Sequence, residues 1–226
     1  MVGSVLALLC AVSAGCTVAV GGRAVPADTD GPRLVSAATL PDVLLDAATT
    51  SAIMGTSGMT VANSRSQMFD AGSQFVDPNC MANWTAAEQS VYAQTGWTAM
   101  VAQTLLDPPP AAEHFVVQAV VAFPSRDTAR SFFDRSVQRW MPCGDQIFTT
   151  SPAGSRTDTS WKFDTVSDVD ATLWMTQRQL DSSGWSCQRA LRVANNVAID
   201  VLACKAYVGD EAVTIAHVID AHLPSV

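Results

Sequence analysis

Residues Trp185–Tyr207 read WSCQRALRVANNVAIDVLACKAY. Two mainly apolar halves, Trp185–Ala194 and Val197–Tyr207, flank the dipeptide Asn195-Asn196. Asparagine tolerates the positive φ that both central positions of a type I′ turn require, so the stretch predicts a two-residue β-hairpin. In that register the numbers of cross-strand partners add to 391, and Cys187 and Cys204 satisfy the condition. Pairs alternate outward from the hydrogen-bonded pair Ala194–Val197, which puts Cys187–Cys204 at a non-hydrogen-bonded position. There the Cα atoms lie about 4.5 Å apart, within the range that a disulfide accepts. A slip of one residue would separate the two sulfurs. One stretch therefore predicts both an antiparallel strand pair and a covalent bridge across it.

The chain of 226 residues contains six cysteines, and the other four have different fates. Val2–Val12 is an apolar run too short to span a bilayer, which needs about 20 residues; it reads as the core of a secretory signal over residues 1–15. It ends in Ser13-Ala14-Gly15-Cys16, which resembles a bacterial lipobox, so Cys16 is expected to carry a lipid after cleavage. The alternative is an ordinary signal peptide in which Cys16 falls by chance. Cys10 leaves with the signal. Four cysteines remain, an even number in an exported chain, which implies a disulfide framework. With Cys187–Cys204 assigned by the hairpin, Cys80–Cys143 follows by elimination. It closes the longer loop and is expected to stabilise by about 4–5 kcal/mol, against about 3 kcal/mol for the hairpin bridge. Neither pair has the Cys-x-x-Cys spacing of a redox centre.

Composition excludes two classes. With 48% hydrophobic and 15% charged residues the chain is not disordered. Thirteen Lys and Arg against 21 Asp and Glu leave a formal charge of -8, so the basic footprint of a nucleic-acid binder is absent. Residues 17–39 are rich in Gly, Ala, Pro, Thr and Asp without periodicity. With Cys16 they read as a flexible tether, long enough to hold a domain over residues 40–226 roughly 25 Å from a membrane. No other stretch is apolar for 18 residues.

Within that domain, Val43-Leu44-Leu45 reads as extended. Asp46 is placed to cap a helix through Met54, with Gly55 closing it. Strands are predicted over 59–68, 97–106 and 114–123, and a helix over 85–94. Pro108-Pro109-Pro110 must lie in a connection, since proline cannot donate to a ladder. In the third strand Phe115, Val117, Ala119, Val121 and Phe123 share one face, with Gln118 on the other. Ser125 caps a helix whose apolar stripe is Ala129, Phe132, Phe133, Val137 and Trp140, ended by Pro142. Shorter strands are predicted near 146–150, 161–166 and 172–180, then a last helix over 210–222 with Ala212, Ile215, Ala216 and Ile219 inward. Neighbouring strand runs with interspersed helices predict an α+β fold with a mainly antiparallel sheet.

Two runs together carry a family resemblance. One is His114-Phe115-Val116-Val117-Gln118-Ala119-Val120-Val121-Ala122-Phe123-Pro124, leading to Trp140-Met141-Pro142-Cys143. The other is Gly184-Trp185-Ser186-Cys187-Gln188-Arg189-Ala190-Leu191 with Asn195-Asn196 through Cys204. They resemble the PknH-like extracellular sensor domain, which occurs on bacterial receptor kinases and on stand-alone lipoproteins, over roughly residues 40–223. The resemblance implies a single domain with a central antiparallel sheet, packed helices, two intramolecular disulfides and a ligand-binding cleft. The kinase catalytic segment and a transmembrane helix are not recognisable in this sequence.

Catalytic constellations are not evident. Gly-x-Ser-x-Gly, His-Glu-x-x-His and phosphate-loop motifs are missing, and Gly55-Thr56-Ser57-Gly58 reads as a helix-ending turn. His217 and His222, five residues apart on one helix, do not converge as a metal pair would. Asp164, Asp168 and Asp170 lack EF-hand spacing, and Asn83-Trp84-Thr85 is read as a coincidental sequon. The six tryptophans read as core residues, with an aromatic wall for a glycan or lipid as the alternative. Gln118, Gln188 and Arg189 are polar groups inside apolar strands and have two readings. Arg189, diagonal to Asp200 in the hairpin register, can pair with it and, with Gln118, fix sheet geometry. Alternatively Gln118, Gln188 and Arg189 line the ligand cleft.

The function expected is that of a non-enzymatic, lipid-anchored extracytoplasmic sensor or binding lipoprotein without cofactor or metal. It would bind a small envelope molecule or an envelope protein. The alternative is a purely structural or interaction lipoprotein of the envelope.

Overall fold

The computed structural model describes residues 33–72, 78–111, 113–151 and 158–224. The signal segment, Cys16 and the tether up to residue 32 lie outside the described residues. Among these residues, nine strands form one sheet: β1 (Thr60–Arg65), β2 (Ala99–Leu106), β3 (His114–Ala122), β4 (Ile147–Thr150), β5 (Thr159–Phe163), β6 (Ser167–Val169), β7 (Thr172–Gln179), β8 (Trp185–Ala194) and β9 (Val197–Ala206). Their order is β1-β2-β3-β9-β8-β7-β5-β4, with β6 paired to β7, and every pairing in this sheet is antiparallel. The hairpin β8–β9 lies in the middle, in the expected register: Cys187 faces Cys204 and Arg189 faces Leu202. At the turn Asn195 takes φ 53°, but Asn196 does not have a positive φ. The register is thus as expected, while the turn is not the type I′ read from the sequence.

Strands β3, β9 and β8 are buried on both sides, which explains why they read as long apolar runs. Val117, Ala119, Val121 and Phe123 join a core with α5 (Arg126–Trp140), α3 (Met81–Trp84) and α4 (Gln89–Tyr92). Val116 and Val120 face a second core with α1 (Leu40–Val43), α2 (Ala47–Met54) and α6 (Glu211–His222). Antiparallel sheet and covering helices make this the expected α+β class. Ser125 starts α5 by accepting the Thr128 N–H at 3.1 Å. On its stripe Ala129, Phe132, Phe133 and Trp140 are all buried. Large apolar side chains each contribute roughly 1.5–3 kcal/mol on full burial, so this helix is held mainly by its inner face. Asp46 caps α2 through the Thr49 N–H at 2.7 Å, and Gly55 ends it at φ 77°.

Three further local expectations change. The helix read over 85–94 is reduced to α4 over Gln89–Tyr92, preceded by the separate short helix α3 over Met81–Trp84. Thr85 is extended, and Ala87 takes φ 50° with its N–H on Asp200 Oδ2 at 2.8 Å. Around that break Phe69 bridges Glu88 in parallel. Helical propensity in the window is overridden by these distant polar partners. The stretch Val43-Leu44-Leu45 is only partly extended, because Val43 ends α1. Residues 33–39, read as the last part of the tether, pack on the body: Val35 is 4% exposed and its N–H donates to Asn196 Oδ1 at 2.7 Å. The short strand β6 had no counterpart in the sequence reading.

Candidate functional site

Arg189 projects from β8 toward the face covered by α5. Its Nη1 donates to Asp200 Oδ1 and to the Val201 carbonyl at 3.0 Å, and Nη2 reaches the Ala82 carbonyl at 3.5 Å. The guanidinium lies 5.1 Å from the centre of the Trp140 ring. Asp200 Oδ2 accepts the Tyr92 hydroxyl at 2.9 Å as well as the Ala87 N–H. Burial, followed by the Asp200 charge, pushes the Tyr92 phenol well above its ordinary range. The cross-strand ion pair expected from the register therefore exists, and it clips residues 82–92 onto the sheet.

The other two strand amides act alike on the opposite face. Gln118 Oε1 accepts the Leu45 N–H at 3.0 Å while its Nε2 donates to the Leu45 carbonyl at 2.7 Å. Gln188 Oε1 accepts the N–H groups of Ala212 and Val213 at 2.9 and 3.1 Å. Those are first-turn donors of α6, whose own N-cap, Asp210, contributes no side-chain bond. Gln118, Gln188 and Arg189 are 0%, 2% and 2% exposed. None of the three lines either of the two cavities described below. Gln118 and Gln188 are engaged by backbone groups, and Arg189 by Asp200 and backbone carbonyls, with its buried Nε left without a partner among the described residues.

A cavity of about 700 Å³ lies instead beside the Cys80–Cys143 bridge. Both expected bridges are present, Cys80–Cys143 with Cα atoms 5.7 Å apart and Cys187–Cys204 with 3.9 Å. Cys80–Cys143 ties the start of α3 to the end of α5, and strand β4 closes a third side. The deep wall is apolar and buried: Met81, Phe148 and the two half-cystines. The rim is polar and exposed: Asn79, Gln138, Arg139 and Gln146. An apolar bottom with a few convergent polar groups is the usual build of a small-molecule site. Here the rim offers amide donors and acceptors and one guanidinium, with no carboxylate among its lining residues. Sequence reasoning missed all the rim residues, since two stretches distant in sequence supply them; the one available signal was the pairing of Cys80 with Cys143.

Other sequence features settle into the scaffold. Trp140 and Trp161 are buried, Trp84, Trp97 and Trp185 pack on the same core, and Trp174 packs on the other. Asn83 of the sequon is fully buried and donates to the Trp140 carbonyl. Asp164 pairs with Arg178 at 2.6 Å, which raises the guanidinium pKa and leaves it firmly charged. Asp168 lies on β6 and Asp170 in the following turn at φ 50°. No grouping of three or more metal-ligating side chains occurs among the described residues. His217 and His222 are exposed. His114 differs: its Nδ1 lies 3.0 Å from Asp107 Oδ2. Among the described residues no helix is long and apolar enough to cross a membrane.

The comparisons agree with this architecture. The family model of the PknH-like extracellular domain matches residues 35–221. The serine/threonine-protein kinases PknH of Mycobacterium bovis and Mycobacterium tuberculosis are each 34% identical over 192 residues, 84% of this chain. The chain spans only about a third of those kinases, 32% and 30% of their lengths. The crystal structure of the extracellular domain of PknH from Mycobacterium tuberculosis superimposes with a TM-score of 0.80 at 33% identity, covering 84% of this chain and 97% of that one. The likeness is thus to the extracellular domain of a kinase and not to its catalytic domain. By sequence and by fold, the chain belongs to the PknH-like extracellular domain family.

Proposed function

We propose that this chain is a lipid-anchored, extracytoplasmic lipoprotein that binds a small envelope molecule in the cleft beside Cys80–Cys143, without catalysing a reaction. One observation carries the reading: two stretches distant in sequence, residues 79–91 and 138–148, enclose about 700 Å³ with an apolar bottom and a rim of amides and Arg139. The anchor is Cys16, following Ser13-Ala14-Gly15, and the tether presents the domain to the envelope. Membership in a family of extracellular domains supports that side of the membrane. The rim favours a ligand with a polar or anionic head and an apolar portion, such as a lipid headgroup or a peptidoglycan fragment.

The test follows the melting temperature of the full chain in detergent against envelope lipids, glycans and peptidoglycan fragments. Binding of the native state raises it by mass action, and Arg139→Ala should abolish the rise while leaving the ligand-free value unchanged. In the same cells Cys16→Ala should move the protein out of the membrane fraction. A panel without effect, or membrane association that survives Cys16→Ala, would sink the respective half of the proposal. The second reading, an interaction lipoprotein, is favoured by Met141 and Ile147, 44% and 62% exposed next to the cleft. A pull-down that yields an envelope protein, with no small ligand shifting the melting temperature, would select it.

A further inference from the structure

A second cavity of about 390 Å³, sharing no lining residue with the cleft, opens at the end of the β8–β9 hairpin remote from the Asn195-Asn196 turn. It lies where β3 begins, β8 begins and β9 ends, and is lined by Glu113, His114, Ser183, Trp185, Lys205 and Ala206. We propose that it is a binding site for a neutral saccharide.

Its polar groups are held in place by the scaffold. Asp107 Oδ2 accepts the backbone N–H groups of Glu113 and His114 at 3.0 and 2.8 Å and also meets His114 Nδ1 at 3.0 Å. Burial opposes ionisation of Asp107, but the His114 ring and the two N–H groups outweigh it and hold the carboxyl below its usual range. Facing a carboxylate, Nδ1 carries a hydrogen and donates it to Asp107, which fixes the ring at the cavity wall. Lys205 is tied away: its Nζ donates to the Met54 carbonyl at 2.9 Å and pairs with Glu211 at 3.1 Å. The cavity thus presents a carboxylate (Glu113), an imidazole edge and a hydroxyl (Ser183), and its one lining cation is already neutralised. An anion would find no free positive charge there. Trp185 and Ala206 contribute apolar lining beside these polar groups.

Beside this cavity the backbone departs from ordinary geometry to display an aromatic ring. Tyr207 is 77% exposed and takes φ 54°, an uncommon conformation for a bulky residue. Its N–H donates to the Gly184 carbonyl at 2.9 Å. The ring lies flat on Gly184, itself at φ 88°, where an added Cβ would come within 2.5 Å of the ring. Gly184 separates the lining residues Ser183 and Trp185. Uncommon backbone conformations that the fold keeps concentrate at functional sites, and here Tyr207 holds one, its exposed phenol ring seated on Gly184. A rigid aromatic face stacks on the C–H face of a sugar ring, while a carboxylate, an imidazole and a hydroxyl serve its hydroxyl groups. That combination suits a neutral saccharide.

The experiment is saturation-transfer NMR on the full chain in detergent. The probes are the methyl glycosides of glucose, galactose, mannose, arabinose and N-acetylglucosamine, plus cellotriose, with tetramethylammonium as the cationic control. At least one sugar should show transfer. Tyr207→Ala and Glu113→Gln, both on exposed residues, should weaken its binding about tenfold each. Gly184→Ala, which keeps the ring but displaces it, should do the same, while Gln138→Ala in the Cys80–Cys143 cleft should leave it unchanged. Thermal melting verifies that each variant is folded. Absence of transfer from every sugar, transfer untouched by Tyr207→Ala and Glu113→Gln, or binding of tetramethylammonium in place of sugars would each overturn the proposal.

Discussion

Two regions on one face of the sheet carry half-cystines and build their folds by opposite means. In the β8–β9 hairpin, contacts are between residues that the turn itself brings together, so register, disulfide and the Arg189–Asp200 pair all follow from Asn195-Asn196. Residues 78–94 make few bonds among themselves and hang on remote partners. Cys80 is bound to Cys143, Asn83 donates to the Trp140 carbonyl, and Gln177 donates to the Trp84 carbonyl. Ala87 and Tyr92 both end on Asp200. The first region organises itself, whereas the second is held by the hairpin, α5, the Cys143 turn after it and β7 together. The segment that forms one wall of the cleft therefore takes its conformation from partners remote in sequence, Asp200 of the hairpin among them.

The most damaging way to break this relation is to remove one member of the buried ion pair. Arg189→Met should destabilise the domain by about 3–5 kcal/mol, because Asp200 is left charged and buried without its partner. Arg189→Met combined with Asp200→Leu should recover part of that loss, although Ala87 and Tyr92 then lose their acceptor. Urea unfolding of the three variants measures this; a double variant worse than Arg189→Met would contradict it. The disulfides sharpen the contrast. Replacing Cys80 and Cys143 by alanine should cost about 4 kcal/mol and replacing Cys187 and Cys204 about 3 kcal/mol in the chain-entropy model. Only the first pair should speed amide exchange across residues 78–94 and loosen ligand binding in the cleft. Equal exchange in both variants would show that the segment does not depend on its tether to α5.

The same contrast explains what could be read from the sequence. The hairpin, the stripe of α5 and the inward residues of α6 were legible because each signal lies within one element: turn residues, 3.6-residue periodicity, caps. Both disulfides were legible because one register removed the ambiguity of the other. The break between α3 and α4 was not, since it is imposed by Asp200, 113 residues from Ala87. Nor was the cleft, whose rim joins Asn79, Gln138, Arg139 and Gln146 from separate segments. The candidate residues Gln118, Gln188 and Arg189 were conspicuous for a sound reason, as polar groups in apolar strands. The signal marked buried anchoring of a loop, a helix N-terminus and the cleft-wall segment, not a ligand.

The smallest expected effect concerns Glu88, at the break between the two short helices. Its side chain is 1% exposed, with Oε2 accepting the Ala71 N–H at 2.9 Å and Oε1 within 3.4 Å of the Ser90 hydroxyl. Burial raises its pKa above the ordinary value of 4.5, and the Asp70 charge adds to this, against the opposing N–H and hydroxyl bonds. The folded state therefore holds the Glu88 proton more tightly than the unfolded state. Its contribution to stability is fully present below 4.5 and is lost as pH rises through the raised folded value. Glu88→Gln keeps an acceptor for the Ala71 N–H but cannot ionise. Its stability should equal that of the native chain at acidic pH and exceed it increasingly toward neutrality, as measured by denaturant unfolding across that range. A constant difference, or one that reverses, would mean that the carboxylate is stabilised in place and that residues 69–72 are held by its charge, not by its shape.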